Sequence, residues 1–249
     1  MRLTRIHIPE ALAAGHEITL PAQAAEHLTR VLRLAPGAPF TVFDGRGHEY
    51  AALLGERHGK QLRARVEREV PMQRESPLDV TLLQGIARGE RMDFIVQKAT
   101  ELGVTRIVPF TAERSVVRVD PKKRERKHEH WQAVAISACE QCGRNRVPPV
   151  SAPASLEQAL AGLPGESLRC LLAADGAQSL VAAATRERGQ ACVLLIGPEG
   201  GLAEGEEKLA LSHRFIACRL GPRVMRTETA GLAALAALQA VSGDFIDAG

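Results

Sequence analysis

From Leu78 onward the chain alternates short apolar runs with stretches of helical periodicity, and that alternation limits the fold more than any other feature. LDVTLLQGI, VTRIVPF, CLLAAD, VLLIG and FIACRLG read as strands. Between the first two, GERMDFIVQKATELG sets Met92, Ile95, Val96, Ala99 and Leu102 on one helical face, with Gly103 as terminator. Asp120-Pro121 caps and opens a long helix that closes at Gly143. Alternation of this kind predicts an α/β domain with a parallel sheet covered on both faces.

The first 70 or so residues follow another grammar. LTRIHI, PFTVFD and the stretch from Gln61 to Val70 alternate polar and apolar residues, as half-buried strands do. PAQAAEHLTRVLRL reads as a helix opened by Pro21, and AspGly at 44–45 marks a hairpin. PMQRESP, residues 71–77, has two prolines and no periodicity, so it reads as a linker.

The totals suit a globular protein: 249 residues, 45% hydrophobic and 24% charged, enough for more than one domain. A net charge of +3 does not announce nucleic acid but allows local basic patches. The opening MRLTRIHIPEALAAGHE has no charged-then-apolar leader, and the longest apolar stretch, Ala230 to Val241, is too short for a membrane span. Of five cysteines, Cys170, Cys192 and Cys218 lie in or beside strand-like runs, which points to free thiols in a reduced, cytoplasmic protein.

In an open parallel sheet, ligands sit beyond the carboxyl ends of the strands. Three ends here are unusual: Ala174-Asp175-Gly176, Gly197-Pro198-Glu199-Gly200-Gly201 and Leu220-Gly221-Pro222-Arg223. Any one glycine pair is ordinary turn chemistry; three in one sheet point to main chain approaching a ligand closely. No Walker-type GxxxxGKS or GxxxxGKT occurs, and no GxGxxG follows a strand with an acid downstream, which disfavours an ATPase or a nicotinamide enzyme.

In LGPRVMRTETAGLAALAALQAVSG, Thr227 or Thr229 reads as a helix N-cap, with Glu228 favoured by the positive end of the dipole. Capping does not explain Arg223 and Arg226 at that same electropositive end, where cations cost energy unless an anion or polar ligand answers them. The helix that follows is almost free of charge and must be covered nearly all round, by core or by a second copy of the chain. ERSVVRVDPKKRERKHEHW is basic. A solvated helix face is the ordinary reading, but its place beside the candidate site, with Arg144 and Arg146 near the end of the same helix, makes it a candidate phosphate-tracking surface. Cys139-Glu-Gln-Cys142 has no second pair for zinc and sits at a helix end rather than a start, so it reads as packing.

RGERMDFIVQKATELGV, ERSVVR, EQCGRNRVP, IGPEGG and LGPRVMRTETA, in that order, resemble the RsmE family of bacterial 16S rRNA (uracil-N3) methyltransferases in the SPOUT superfamily. EHLTRVLRLAPG and FDGRG resemble that family's opening domain, so the likeness spans almost the whole chain. The resemblance implies a PUA-like, RNA-binding β-barrel over residues 1–72 and a SPOUT methyltransferase domain over 73–249, tied in a deep trefoil knot. It implies a homodimer whose knots pack together, no metal and no membrane, and 16S rRNA of the small ribosomal subunit as partner. S-adenosyl-L-methionine (SAM) is then expected on Leu195, Ile196, Gly197, Pro198, Glu199, Gly200, Gly201, Leu220, Gly221, Met225, Arg226 and Thr227. RNA is expected on Arg30, Arg33, Arg114, Arg118, Lys122, Lys123, Arg124, Arg144, Asn145 and Arg146. Three positions depart from the family pattern: Ala203 stands where Ser is usual and loses a helix cap, Ala38 replaces an Asp, and Met225 replaces a Leu.

Neutral uracil carries a proton on N3 that must leave before the nitrogen takes a methyl group. An arginine stays protonated, so Arg223 or Arg226 is expected to stabilise the imide anion as it forms. Glu199 and Glu228 are both candidates for the base. The target is expected to be unpaired or splayed out, because N3 is locked in a duplex pair. Methylation of another RNA, and an RNA-binding assembly factor without catalysis, are the alternatives.

Overall fold

The computed structural model describes residues 4–59, 61–117, 120–163 and 165–246. The chain divides into two compact units: Met1–Glu75 with Cys139–Val147, and Ser76–Ala138 with Pro148–Gly249. The first division falls three residues beyond the expected boundary, inside the proline-bearing stretch. The return of Cys139–Val147 to unit 1 has no counterpart among the sequence expectations.

Unit 1 contains β1 Arg5–His7, β2 Glu17–Thr19, β3 Pro39–Phe43, β4 Glu49–His58 and β5 Gln61–Glu69, in the sheet order β1–β3–β4–β5–β2. β5 shows why: Leu62, Ala64 and Val66 point to the core while Arg63, Arg65 and Glu67 point out, the period-two pattern of a half-buried strand. The β3–β4 hairpin turns on Gly45 and Gly47, both at positive φ, and Asp44 Oδ1 accepts from the N–H groups of Arg46 and His48 at 2.8 and 3.1 Å. Helix α1 Ala22–Glu26 runs on through a π-helical turn, His27–Val31, and together they bury Ala25 and Leu28.

The proline-bearing stretch is not a free linker but is anchored within unit 1. Arg74 Nη1 donates to Glu49 Oε2 at 2.9 Å, and Glu49 also takes a guanidinium bond from Arg5. Burial alone would raise the Glu49 carboxyl, but the two arginines outweigh it and hold it below its ordinary value. Glu75 accepts from Arg144 Nε at 2.8 Å and from the N–H groups of Asn145 and Arg146 at 2.9 and 3.0 Å. Buried charges persist only when paired like this.

Unit 2 holds seven strands, β6 Val80–Gly85, β7 Arg106–Thr111, β8 Ala154–Ser155, β9 Leu168–Leu172, β10 Gln178–Ser179, β11 Cys192–Ile196 and β12 Ile216–Arg219. All pair in parallel, in the order β10–β12–β9–β11–β6–β7–β8. β11 inserts between β9 and β6 and all five of its residues are buried, which is why it reads as an unbroken apolar run. The helices are α2 Arg91–Glu101, α3 Arg124–Cys142 (whose last turn belongs to unit 1), α4 Leu156–Ala161, α5 Leu180–Arg186, α6 Glu204–Ser212 and α7 Thr227–Ser242. α7 packs on α2, α5, β6 and β11. Its wholly buried Gln239 accepts from Ser76 Oγ at 2.7 Å and donates to the Leu102 carbonyl at 2.9 Å, tying α7 to the end of α2. Among the described residues no helix is long and apolar enough to cross a membrane, and no group of three or more His, Cys, Asp or Glu is set to hold a metal ion.

Candidate active site

The carboxyl ends of β9, β11 and β12 open into a cavity of about 640 Å³ within unit 2, inside the roughly 300–1,000 Å³ range of small-molecule sites. The three unusual strand ends meet there: Ala174 and Asp175 after β9, Gly197, Pro198, Glu199 and Gly201 after β11, and Leu220 and Arg223 after β12. Met225 to Glu228 close one side, and Leu171, Leu172 and Ile196 supply apolar wall.

Glycine is required where these segments pass one another. A Cβ on Gly85, at the end of β6, would lie 2.5 Å from Pro198 N, and one on Gly176 would lie 2.5 Å from the Cys218 carbonyl carbon. Both neighbours are main chain and cannot swing aside. A Cβ on Gly200 would meet the Arg114 carbonyl oxygen at 2.6 Å. The loop after β11 is further held by Arg114 Nη1, which donates to the Leu202 carbonyl at 3.1 Å, and by Glu206, which accepts from the N–H groups of Ala203 and Glu113 at 2.8 and 2.9 Å. Ala203 is the N-cap of α6 and has no side-chain acceptor, so Glu206 supplies one half of a capping box alone.

Thr227 is not the cap that its place at a helix start suggests. Arg226 is the N-cap of α7 and neither threonine caps it by side chain. The Thr227 hydroxyl, buried, donates to the Gly197 carbonyl at 2.7 Å and accepts from Gln84 Nε2 at 2.9 Å, so it fastens the start of α7 to the strand end of β11. A buried hydroxyl must spend its bonds on whatever main chain is nearest, and here that is a strand end rather than the helix's own N–H groups.

Three arginines and several carboxylates line the cavity. Arg91 Nη1 donates to Glu199 Oε1 at 2.9 Å, and its Nε lies 3.7 Å from Glu228 Oε1. Glu199 Oε1 also accepts from the Arg88 N–H at 3.0 Å. Burial would raise the Glu199 carboxyl, but the N–H groups of Arg88 and of Glu199 itself, with Arg91, hold it below the ordinary value. Glu228 Oε2 is shut from solvent and has no hydrogen-bonding partner. Arg223 and Arg226 are exposed at the rim, and among the described residues neither guanidinium has an ion-pair partner.

Of the residues expected on SAM, Ile196, Gly197, Pro198, Glu199, Gly201, Leu220, Met225, Arg226 and Thr227 line the cavity. Leu195 sits wholly buried in β11, Gly200 faces Arg114, and Gly221 makes a turn at positive φ; these three do not line it. Arg91, Leu171 to Asp175, Leu202, Glu207, Cys218, Val224 and Ala230 line it without being among the expected set. The strand end at Asp175 stands out in the sequence; the others carry no pattern that separates them from ordinary strand and helix residues.

Among the residues expected on RNA, Lys122 and Lys123 lie in the 3-10 turn that leads into α3, Arg124 opens α3, and the Arg124 guanidinium is spent on the Pro153 carbonyl. Arg114 braces the loop after β11 as described. Arg30 and Arg33 lie exposed in unit 1, Arg30 paired with Glu26. Arg144 and Asn145 are 6% and 2% exposed and their side chains bind Glu75 and Arg5, so of that trio only Arg146 is exposed. Arg118 lies outside the described residues. Burial drives the Cys139 thiol up to about 12, which fits packing rather than redox chemistry.

Residues 74–239 match the family model described as RNA methyltransferase domain, and residues 20–67 the one described as RNA methyltransferase PUA domain. Ribosomal RNA small subunit methyltransferase E of Bacillus subtilis is 32% identical over 245 residues, covering 96% of this chain and 94% of that protein. The crystal structure of ribosomal RNA small subunit methyltransferase E from Neisseria gonorrhoeae, bound to S-adenosyl methionine, has a TM-score of 0.92 and 41% identity over 98% of this chain and 100% of that one. A Legionella pneumophila structure with bound cofactor SAM reaches 0.89 at 37% identity over 98% and 100%.

Proposed function

We propose that this chain, which belongs to the ribosomal RNA small subunit methyltransferase E family, holds SAM in the cavity beyond β9, β11 and β12 and methylates N3 of a uridine in 16S rRNA. It is a SAM-dependent rRNA methyltransferase with a PUA-like N-terminal domain. One observation carries the placement of the cofactor: three glycine-bearing strand ends, far apart in sequence, converge on one cavity.

The residues fit the group. Apolar wall from Leu171, Leu172, Ile196 and Leu220 suits a heterocycle, main chain at Gly197 to Gly201 can approach it closely, and the carboxylates of Asp175, Glu199 and Glu207 suit its cationic sulfonium and ammonium. When bound, the cofactor supplies a methyl group already activated on sulfur. The chain's part is to align an electron-rich nitrogen with it, worth ~7 kcal/mol or more of barrier, and to answer the negative charge that develops on the base, for which Arg223 and Arg226 stand unpaired at the rim. The family likeness implies a trefoil knot in this domain; a crystal structure with an unthreaded C-terminal segment would remove it.

Calorimetry with SAM, then transfer of labelled methyl to small subunits from cells lacking the enzyme, and mapping of the modified nucleotide, test the whole. Absence of SAM binding by the folded protein would end the proposal, and a modified nucleotide in another RNA would redirect it. A cytoplasmic location follows from the substrate.

Two further outcomes are expected. Alanine at both Lys122 and Lys123 should weaken RNA association and reduce the slope of log K against log salt by roughly 0.7 for each phosphate no longer neutralised; an unchanged slope would make them solvated surface. α7 buries Gly231, Ala234, Leu235 and Leu238 but leaves Leu232, Ala233, Ala236 and Ala237 half-buried, a small apolar face that suits a homodimer. Light scattering should report twice 26.8 kDa, and Ala236→Arg should report the monomer.

A further inference from the structure

The cavity holds two carboxylates that chain position alone does not rank, and the structure treats them unequally. Glu199 is already held by donors of the chain: Oε1 takes both the Arg88 N–H at 3.0 Å and Arg91 Nη1 at 2.9 Å. Hydrogen bonds to the ionised form oppose protonation. Glu228, on the first turn of α7, has Oε1 3.7 Å from Arg91 Nε and an Oε2 that is buried without a donor. A buried acceptor left unpaired is rare in folded proteins and needs a reason. A donor brought by the substrate, met as the carboxylate turns into the cavity that Glu228 lines, is such a reason, and the N–H of a uracil is one.

We propose that Glu228, not Glu199, takes the proton from the acceptor nitrogen, and that Arg91 is the positioning residue that makes the two carboxylates unequal. The inference rests on the methyl-transfer reading above. The step balances: the N–H bond breaks as Glu228 gains the proton, the nitrogen's electron pair forms the new N–C bond, and the S–C bond electrons return to sulfur, leaving the demethylated cofactor. The proton on Glu228 returns to solvent when the products leave. The charged groups around Glu228 are Arg91 from α2, Glu199 behind it, Arg223 and Arg226 from the segment before α7, and Asp175 and Glu207 elsewhere on the cavity wall. Arg91 bridges both acids, so it favours the ionised form of Glu199 and steers Glu228 without saturating it.

The test is the pH profile of methyl transfer at saturating SAM and RNA, in the full-length protein, with SAM affinity measured by calorimetry for each variant. The wild type should lose activity as pH falls through the base's titration. Glu228→Gln should lower transfer by 10²-fold or more, the usual share of a positioned base, keep SAM affinity within a few-fold and lose that acid limb. Glu199→Gln should weaken SAM or slow transfer but keep the limb. Arg91→Ala removes a cation that favours the ionised carboxylate, so the limb should move to higher pH, while Arg91→Lys should restore part of the shift. A purely structural Arg91 would leave the limb in place. Glu228→Gln with a wild-type profile, or Glu199→Gln without the limb, would overturn the assignment, whereas a wild-type protein that transfers no methyl group would bring down the functional reading itself.

Discussion

Replacing Arg226 by alanine is expected to lower methyl transfer by about 10²–10³-fold at saturating SAM, the usual loss for one preorganised donor, while SAM affinity changes only a few-fold. The separation follows from position. The main chain of Arg226 closes the cavity wall, and alanine keeps that main chain. Its guanidinium stands exposed at the N-terminus of α7, where a helix dipole disfavours a cation, and has no protein partner among the described residues. A cation kept in an unfavourable field fits a site whose anion arrives with the reaction. Single-turnover transfer beside calorimetry separates the two quantities; wild-type turnover in Arg226→Ala would clear this residue. Arg226→Lys should recover little, because an ammonium cannot offer two parallel donors to a delocalised imide.

Gly85→Ala and Gly176→Ala are expected to be costly for so small a change. Each adds one methyl group, yet each methyl would sit 2.5 Å from main chain of another segment. Overpacking of this kind costs about 1–3 kcal/mol or more, which for a chain of this length lowers Tm by roughly 2–4 °C per kcal/mol. Because the displaced segments are the strand ends themselves, SAM affinity should fall by more than tenfold in parallel. Gly205→Ala is the control: a Cβ there meets nothing within 4 Å, and the position is helical, so it should hold or raise Tm. Wild-type SAM affinity in Gly85→Ala would mean that the passage past Pro198 is looser than it stands.

The parallel sheet was legible because a doubly covered strand has to be apolar throughout, and VLLIG could hardly be anything else. The site was legible for a related reason: glycines and a proline at three strand ends exceed what turns need. Residues with two plausible uses were harder. A threonine opening a helix reads as a cap, and only the proximity of the Gly197 carbonyl and Gln84 shows that Thr227 is a fastener. Arg144 and Asn145 look like surface because charge is usually solvated, and nothing in EQCGRNRVP says that Glu75 waits for them. Leu171 and Leu172 were invisible as cavity wall, since a strand's last turn inward looks the same with or without a ligand beyond it.

The split make-up of unit 1 bears on how the polypeptide is born. Glu75 is complete only when Arg144, Asn145 and Arg146 reach it, and the carboxamide of Asn145 serves Arg5 near the chain's beginning. A ribosome must therefore release residues up to Val147 before the N-terminal module owns all its parts. Cutting at the prolines would not yield a portable cassette, and a graft onto another protein would have to carry both pieces.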